Sequence, residues 1–469
     1  MAQVRFNFEK TNFDYSMKNI GVPTKMEYQM SLIHQVRSFV DRVRWKAFHI
    51  LNPTNREKKE TFGFNTIASS PKVEALEVFE EKMMNLVKDI EFQRKGNKLQ
   101  DKLKEDQRKI NQEKRMIIPA DKTRNFYYTE PEQYETLLKR SIEKECKKGQ
   151  NDLLSTFDKE DKKCAEDLQI IDRRIHKTQK QGAMITYKDH KENFENNVQT
   201  RLINPTRSEI GKVAKKFLDD IIDQVRSKSG VNLWKNSQAA VQWFRRIQDK
   251  DKHRFIQLDV CAYYPSISKT NLIDALNYAR QFTPITEEQQ KIIIQSCRAV
   301  LVSDDQVWVK KGDPAQEKFA VTIGSYCGAE CAEIVTCHLL SQVVEAGLLP
   351  KEKVGGFRDD FLFVTDATPR QNDMVKKKLC ELFTRNGFRI EIKVNKKVVD
   401  FLDIKFDLDR EIFQPFKKPN DVISYVHKDS NHPPKVTNNI PPSVQKRLSG
   451  ISANKRFESS SKDNKKYSS

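Results

Sequence analysis

Apolar positions recur at helical spacing in the first part of the chain. This spacing covers residues 28–50 and 72–94, and Asn52-Pro53 and Ser69-Ser70-Pro71 interrupt it. Residues 94–115 are dense in charged and amide side chains and contain few apolar ones. That composition predicts a solvated helix, with an RNA-facing basic stripe as the alternative. The first part of the chain is therefore expected to be a helical extension.

Two later segments are predicted strands that carry acids. Residues 254–260 are mostly apolar, hold Asp259 near their end and precede a stretch with helical apolar spacing. A run rich in Phe, Val and Leu surrounds Asp359 and Asp360, with two glycines before it. This pattern predicts two short strands that meet at a tight turn holding both acids.

Adjacent carboxylates within an apolar run repel each other unless a cation or a proton compensates their charge. A two-metal site for phosphoryl transfer needs at least one further acid from elsewhere in the fold. Asp259 is the candidate for that acid. The alternatives are an ordinary solvent-facing turn at Asp359 and Asp360 and a turn or cap role for Asp259.

The order of these elements resembles the catalytic core of reverse transcriptases. Residues 259–267 are similar to motif A, 322–330 to motif B and 357–361 to motif C. The flanking segments that are similar to the fingers motifs, motif D and the primer-grip motif E are 187–191, 201–205, 386–390 and 401–406. The motifs follow the family's order from about residue 120 to residue 415.

A narrower resemblance is to Penelope-like retroelements, which are relatives of telomerase reverse transcriptase. The Lys-Asp-His-Lys segment 188–191, the Asp121-Lys122 pair and the segments 417–420 and 430–434 carry it. Asp359-Asp360-Phe361-Leu362 is also similar to the telomerase form of motif C. The endonuclease that many Penelope-like proteins carry after the polymerase is not expected here.

The resemblance implies roles for the three acids. Asp259 and Asp359 are expected to bind two Mg²⁺ ions, with Mn²⁺ as an alternative, and the backbone carbonyl of Val260 is expected to be a further ligand. Asp360 is expected to be the third acid, less directly engaged. The implied reaction is the transfer of a nucleotide from a dNTP to a primer 3′-hydroxyl, directed by an RNA template.

The resemblance also implies residues that bind the nucleotide. Lys188 and Arg201 are expected to hold the triphosphate, although a basic side chain in this chain is more often solvated surface. Tyr264 is at the position that excludes a ribose 2′-hydroxyl by shape, or else it is a packed core aromatic residue. The loop before the motif B helix is expected to leave room for the nucleotide, through Gly324 and Ser325.

Lys393 or Lys396 is the expected general acid for the pyrophosphate, and the sequence does not choose between them. The sequence departs from the family at Arg358, directly before the acid pair, and at Cys327 and Glu330 in motif B. Two other functions therefore stay open. One is a decayed or domesticated nucleic-acid-binding protein without activity. The other is an RNA-dependent RNA polymerase, against which Tyr264 argues.

The composition of the chain predicts a nucleic-acid partner. The chain has 469 residues, a formal net charge of +19 and a pI near 9.3, and such a charge suits binding to phosphates. Charge alone does not separate a polymerase from a ribosomal or chromatin protein. The expected partners are an RNA template, a DNA primer and dNTPs, and the sequence identifies no protein partner.

No apolar run of membrane-spanning length and no signal peptide is found, so neither a membrane nor secretion is expected. The eight cysteines are scattered, as expected for reduced thiols in an intracellular protein, in the nucleus or the cytoplasm. Cys327, Cys331, Cys337 and His338 are closely spaced, but no second cysteine pair follows at a zinc-site spacing. A zinc site is therefore not expected among them.

These observations together predict an α+β right-hand polymerase with a helical N-terminal extension. The expected division of the chain is a helical extension at 1–115, fingers at 116–250, a palm at 251–415, a partial thumb at 416–458 and a disordered tail at 459–469.

Overall fold

The computed structural model describes residues 9–10, 19–52, 70–93, 96–123, 125–167, 178–179, 181–298, 300–312, 319–417 and 426–453. The predicted tail at 459–469 lies outside these residues. The chain divides into two compact units. The first contains residues 1–11, 115–423 and 442–466, and the second contains residues 12–114, 424–441 and 467–469. The predicted boundaries of fingers, palm and partial thumb stay predictions.

The helices of the described residues are α1 (Lys25–Leu51), α2 (Glu74–Asp89), α3 (Lys98–Gln112), α4 (Pro131–Glu145), α5 (Leu153–Asp167), α6 (Ile210–Lys228), α7 (Ser237–Arg246), α8 (Tyr263–Ser266), α9 (Lys269–Ala279), α10 (Glu287–Ser296), α11 (Gly328–Glu345), α12 (Pro369–Arg385) and α13 (Pro434–Gly450). The strands are β1 (Glu9–Lys10), β2 (Met116–Pro119), β3 (Phe126–Thr129), β4 (Cys146–Lys148), β5 (Thr178–Gln179), β6 (Met184–Tyr187), β7 (Thr200–Ile203), β8 (Arg207–Ser208), β9 (Asn232–Leu233), β10 (Arg254–Val260), β11 (Leu301–Ser303), β12 (Gln306–Lys310), β13 (Val354–Phe357), β14 (Asp360–Thr365), β15 (Ile390–Lys396), β16 (Val398–Phe401), β17 (Ile404–Asp407) and β18 (Ile412–Pro415).

The second unit contains the three helices predicted near the start of the chain. Thr24 caps α1, with its side chain accepting from the Glu27 backbone and the Glu27 side chain reaching back to Thr24. Helices α1 and α2 pack together, and Arg44 of α1 forms an ion pair of 3.1 Å with Glu80 of α2. The charged stretch forms α3, as predicted. Within the described residues, no helix is long and apolar enough to cross a membrane.

A five-stranded sheet, ordered β15-β10-β14-β13-β9, is at the centre of the first unit. Strands β15, β10, β14 and β13 pair antiparallel, whereas β9 pairs parallel with β13. Strands β13 and β14 form the predicted hairpin, with only Arg358 and Asp359 between the paired residues Phe357 and Asp360. The acid-bearing strands β10 and β14 are neighbours because Asp259 is the direct partner of Asp360.

Alternation of side chains divides β10 and β14 into two faces. One face carries Phe255 and Leu362, which belong to an aromatic core with Trp234, Phe244 and Phe406. On the other face, Phe361 packs edge-on against Phe383 of α12, with ring centroids 5.3 Å apart. Helix α11 packs against β13 on this second face. The acids Asp259 and Asp360 therefore share a face with the aromatic core but lie at its open end.

Gly355 and Gly356 have different roles in the hairpin. A Cβ at Gly355 would lie 2.2 Å from the Trp234 ring, so this glycine leaves the space that the indole fills. A Cβ at Gly356 would meet Thr336 and Leu340 of α11 at 3.1 and 3.4 Å. The glycine pair therefore allows close packing on both faces of the strand that leads to the acids.

The part of the chain before the central sheet contains short antiparallel strand pairs. Strand β2 pairs with β3, and β6 pairs with β7 so that Thr186 faces Arg201. Tyr127, Tyr187 and Phe194 pack together between them.

After the central sheet, β16, β17 and β18 form a three-stranded meander. Helix α13 includes Pro441 and ends at Gly450, and Arg447 near its end bonds to Asp403.

Candidate active site

Three acids form a row across neighbouring strands. Asp259 on β10 is the direct partner of Asp360 on β14 and of Glu391 on β15. Directly paired residues of antiparallel strands place their side chains on the same face, at about 5 Å between Cβ atoms. The row brings together two of the predicted acids and adds Glu391, which the sequence analysis did not identify.

The third predicted acid, Asp359, lies in the turn beside this row. The Val260 backbone N–H donates to the Asp359 carbonyl at 3.1 Å, which joins the end of β10 to the turn. Arg358 has a left-handed backbone, with a φ of 55°. The Thr336 hydroxyl of α11 donates to the Arg358 carbonyl at 2.6 Å. The turn is therefore held from two sides by hydrogen bonds to its own backbone.

The acids influence each other electrostatically. Asp259 is exposed to solvent, but nearby protein atoms crowd its carboxylate. This partial loss of hydration and, after it, the negative charge of Asp359 raise the pKa of Asp259. Glu391 acts in the same direction, whereas Lys122 and Lys191 oppose it. A cation at this place would relieve the repulsion between the acids.

The carboxylates of Asp259, Asp359 and Asp360 are neighbours but do not close tightly on one point. Among the residues that the structure describes, the only three acid, cysteine or histidine side chains with ligand atoms all within 4.8 Å of one another are Cys297, Cys327 and Cys331. The aspartates are therefore oxygen donors on one rim rather than a closed cage.

Two tyrosines follow the strand β10. Tyr263 is buried, and its hydroxyl donates to the Ala332 carbonyl at 3.1 Å and lies 2.9 Å from the Thr336 hydroxyl. Tyr263 is thus a core residue. Tyr264 is half-buried, and the charges of Arg358, Asp359 and Arg201 act on its hydroxyl. Burial is the main cause that raises the pKa of Tyr264.

Cationic side chains of the hairpin region lie opposite the acids. Arg201 forms an ion pair of 3.2 Å with Asp121. Lys188 is half-buried, and burial lowers its pKa, with the neighbouring charge of Arg201 as a second cause. Lys122 and Lys191 are close enough to Asp259 to lower its pKa. The structure therefore groups the predicted Lys188 and Arg201 with two lysines that the sequence analysis did not assign.

Asp189 organises this cationic group. It is buried and accepts hydrogen bonds from Thr123 at 2.8 Å, from Asn125 at 2.7 Å and from Tyr127 at 2.9 Å. Its neighbour His190 lies 3.1 Å from the Asp121 carbonyl through Nδ1. The Lys-Asp-His-Lys segment is thereby fastened to the loop that carries Asp121 and Lys122. Lys122 itself has a left-handed backbone, with a φ of 67°.

The loop before α11 is packed by protein atoms. A Cβ at Gly324 would lie 2.4 Å from the Asn204 carbonyl oxygen, and its φ of 118° also favours glycine. The Ser325 hydroxyl donates to the Thr322 carbonyl at 3.0 Å. At Gly328, a Cβ would collide with Ser325 and Thr322. Glycine at positions 324 and 328 thus allows this loop to pack closely. Nucleotide binding by Gly324 and Ser325 stays a prediction.

The two candidate general acids differ in position. Lys393 is paired with Gln257, two residues from Asp259 along β10, a separation of about 7 Å along the strand. Lys396 is paired with Phe255, beyond an irregularity in the register. Position therefore favours Lys393, although the role of either lysine stays a prediction.

Arg358 lies beside the aromatic and acidic groups around the turn. Its guanidinium carbon is 5.2 Å from the centroid of the Phe357 ring. Burial raises the pKa of Glu333, and the ion pair with Arg226 and the charge of Arg358 oppose this rise. Arg358 is therefore a half-buried cation next to the acid pair, as its sequence position suggested.

The sequence assigned no role to five residues of this site: Lys122, Asp189, Lys191, Thr336 and Glu391. A signal existed for most of them. Lys122 belongs to the Asp121-Lys122 pair, Asp189 and Lys191 belong to the 188–191 segment, and Glu391 alternates with Ile390 and Ile392 in a strand pattern. No local signal marks Thr336, which lies in the middle of an apolar helix.

Comparison with solved structures identifies the fold. Telomerase from Candida albicans, in complex with a fragment of telomeric RNA, is similar with a TM-score of 0.50 and 11% sequence identity, over 82% of this chain and 66% of that chain. Apo telomerase from Candida tropicalis has a TM-score of 0.45 and 10% identity, over 73% and 67% of the two chains. The RNA-dependent RNA polymerase of a human picobirnavirus has a TM-score of 0.38 and 10% identity, over 71% and 68%.

No protein-family model and no curated protein sequence matches the chain. The chain spans 66% of the length of the Candida albicans protein. The fold is a telomerase-like, right-hand polymerase fold of mixed α and β structure, which confirms the predicted fold class. The Penelope-like assignment is not supported by the comparison and stays a prediction.

Proposed function

We propose that this chain is an RNA-directed DNA polymerase. The observation that carries the proposal is that Asp259 pairs directly with Asp360 beside the Asp359 turn, with the positive charges of Lys122 and Lys191 close to Asp259. A triphosphate is polyanionic, and a polymerase must hold it between cationic side chains and a metal-binding edge. The telomerase-like fold supports the same function.

The residues of the rim fit a pair of hard divalent cations. Carboxylate oxygens are the ligands that Mg²⁺ prefers, and Mn²⁺ accepts the same donors. Asp259, Asp359 and the backbone carbonyl of Val260 would hold the metal, with Asp360 beside them. When bound, the metal supplies charge compensation for the leaving pyrophosphate and lowers the pKa of the primer hydroxyl.

The chain's own residues position the nucleotide. Arg201 and the lysines around it would bind the triphosphate, because a guanidinium offers two parallel donors and each ammonium a point charge. Asp189 holds their loop in place. Lys393, on the same strand as Glu391, would deliver a proton to the pyrophosphate.

Tyr264 would select dNTPs over NTPs. It is half-buried, and the charges of Asp359 and Arg201 reach its hydroxyl, so its ring would restrict the space for a ribose 2′-hydroxyl. This placement favours reverse transcription over RNA synthesis. A narrower origin in Penelope-like retroelements rests on the sequence motifs alone.

The test is extension of a labelled DNA primer on an RNA template, with dNTPs or NTPs and Mg²⁺. Asp359→Ala should keep RNA binding and lose extension. Asp366→Ala is the matched control, because Asp366 directly follows β14, at the end of the strand away from the turn, and is paired with Lys353 at 3.0 Å. Wild-type protein and the Asp366→Ala control should extend the primer equally.

Two results would replace the proposal. Extension with NTPs but not with dNTPs would indicate an RNA-dependent RNA polymerase. Template binding without extension by wild-type protein, with either Mg²⁺ or Mn²⁺, would indicate an inactive nucleic-acid-binding protein. Tyr264→Ala tests whether shape selects the nucleotide. If it does, the variant should incorporate NTPs more readily than wild-type protein and should incorporate dNTPs as well as before.

A further inference from the structure

Three cysteine thiols meet where α10 ends and α11 begins. Cys297 is the C-cap of α10, Cys327 is the N-cap of α11, and Cys331 is in the first turns of α11. Their sulfur atoms all lie within 4.8 Å of one another, and those of Cys297 and Cys331 are 3.5 Å apart. Cys297 thus meets two cysteines that lie thirty or more positions further along the chain.

The separations suit a thiophilic cation. Tetrahedral coordination with a zinc–sulfur distance of about 2.3 Å places sulfur ligands about 3.8 Å from one another. A hydroxyl oxygen is also at hand, because Ser296 Oγ lies 3.1 Å from the Cys327 sulfur while donating to the Ile293 carbonyl at 2.7 Å. The serine and the three cysteines are all buried. The cluster therefore contains three converging sulfurs, with one hydroxyl oxygen beside Cys327.

The location also favours negative charge on the sulfurs. The N-terminus of an eighteen-residue helix carries a partial positive charge, and thiolates at such ends are stabilised.

We propose that Cys297, Cys327 and Cys331 bind one Zn²⁺-class cation, with the Ser296 hydroxyl as the fourth ligand. Each thiol releases its proton to solvent when the metal binds. Three thiolates and one divalent cation leave a net charge of −1, which the N-terminus of α11 offsets. Because the cluster is buried, the metal enters as the chain folds.

This site is distinct from the acidic rim in chemistry and place. Its sulfur donors select soft cations, whereas the carboxylates select Mg²⁺. The metal would tie the end of α10 to the start of α11, the helix that carries Thr336. Its expected effect is on stability, and the inference does not depend on polymerase activity.

Cys337 provides a matched control. It is buried on the same helix as Cys331. Its pKa is raised to about 12, chiefly by burial, and Ser229 and Arg226 are near it. Cys337→Ser therefore makes the same chemical change at a similar depth without touching the cluster.

The experiment measures metal in the full-length protein. Cells are grown with added Zn²⁺ or Cd²⁺, and the purified protein is dialysed against EDTA before elemental analysis. Wild-type protein and Cys337→Ser should retain about one equivalent per chain, with a sulfur-to-cadmium charge-transfer absorption for Cd²⁺. Cys331→Ser and Cys297→Ala should each retain less than about a tenth of an equivalent.

Circular dichroism checks that each variant folds. If a variant does not fold, the metal content of wild-type protein still tests the proposal. A metal-free wild-type protein after growth in both metals would overturn the proposal. The proposal would also be overturned if Cys337→Ser lost as much metal as Cys331→Ser. A Cys297–Cys331 disulfide found by mass spectrometry in the isolated protein would overturn it too.

Discussion

The hydroxyl of Thr336 donates a hydrogen bond of 2.6 Å to the backbone carbonyl of Arg358. The same hydroxyl lies 2.9 Å from that of Tyr263. Thr336 is on α11, Arg358 is in the turn before the acid pair, and Tyr263 follows the strand that carries Asp259. One buried side chain therefore links the three segments that build the acidic rim.

Thr336→Val keeps the side-chain volume and removes this donor. We expect nucleotide addition to slow about fivefold, because a lost hydrogen bond of about 1 kcal/mol displaces the Asp359 turn. The effect should fall on kcat, with little change in the KM for dNTP, in single-nucleotide extension assays. Thr336→Ser should restore most of the rate. A serine variant as slow as the valine variant would argue for a packing role instead.

Glu391→Gln tests the acid that the sequence analysis missed. Glu391 is paired directly with Asp259, so its charge should strengthen cation binding at the rim. Removing this charge should raise the Mg²⁺ concentration for half-maximal extension about fivefold, or about 1 kcal/mol. The control is Glu411→Gln, in the turn before β18. An unchanged Mg²⁺ requirement would exclude Glu391 from the metal-binding edge.

Lys393→Ala and Lys396→Ala distinguish the two candidate general acids. Lys393 is two residues from the level of Asp259, whereas Lys396 is four residues away. Loss of a general acid slows chemistry by about 100-fold or more, so Lys393→Ala should do so and Lys396→Ala should have little effect. Rapid-quench measurement of one nucleotide addition checks this. The reverse order of effects would reassign the role to Lys396.

Gly355→Ala tests the packing behind the hairpin. The new methyl group would lie 2.2 Å from the Trp234 ring, which is buried in the aromatic core. Such overpacking should lower the free energy of unfolding by about 1–3 kcal/mol in urea titrations. Gly182→Ala is the control, since a Cβ there meets no atom within 4 Å. Equal stability of both variants would show that the indole moves aside without cost.

Much of the fold could be predicted because its signals are local. Apolar periodicity located α1, α2 and α9, and the apolar runs around Asp259 and Asp359 located β10 and the β13–β14 hairpin. The motif order gave the fold class, because few folds present a strand, a long helix and an acidic hairpin in that order.

The sequence by itself determined where the candidate acids lie, since Asp259, Asp359 and Asp360 interrupt apolar strands where an unpaired charge is costly. Only the tertiary structure decided what surrounds them. Strand register places Glu391 opposite Asp259, helix packing brings Thr336 to the Arg358 carbonyl, and two helix ends bring Cys297 to Cys327 and Cys331. These contacts join residues far apart in the chain, and their geometry depends on how elements pack, which no local pattern of residues encodes.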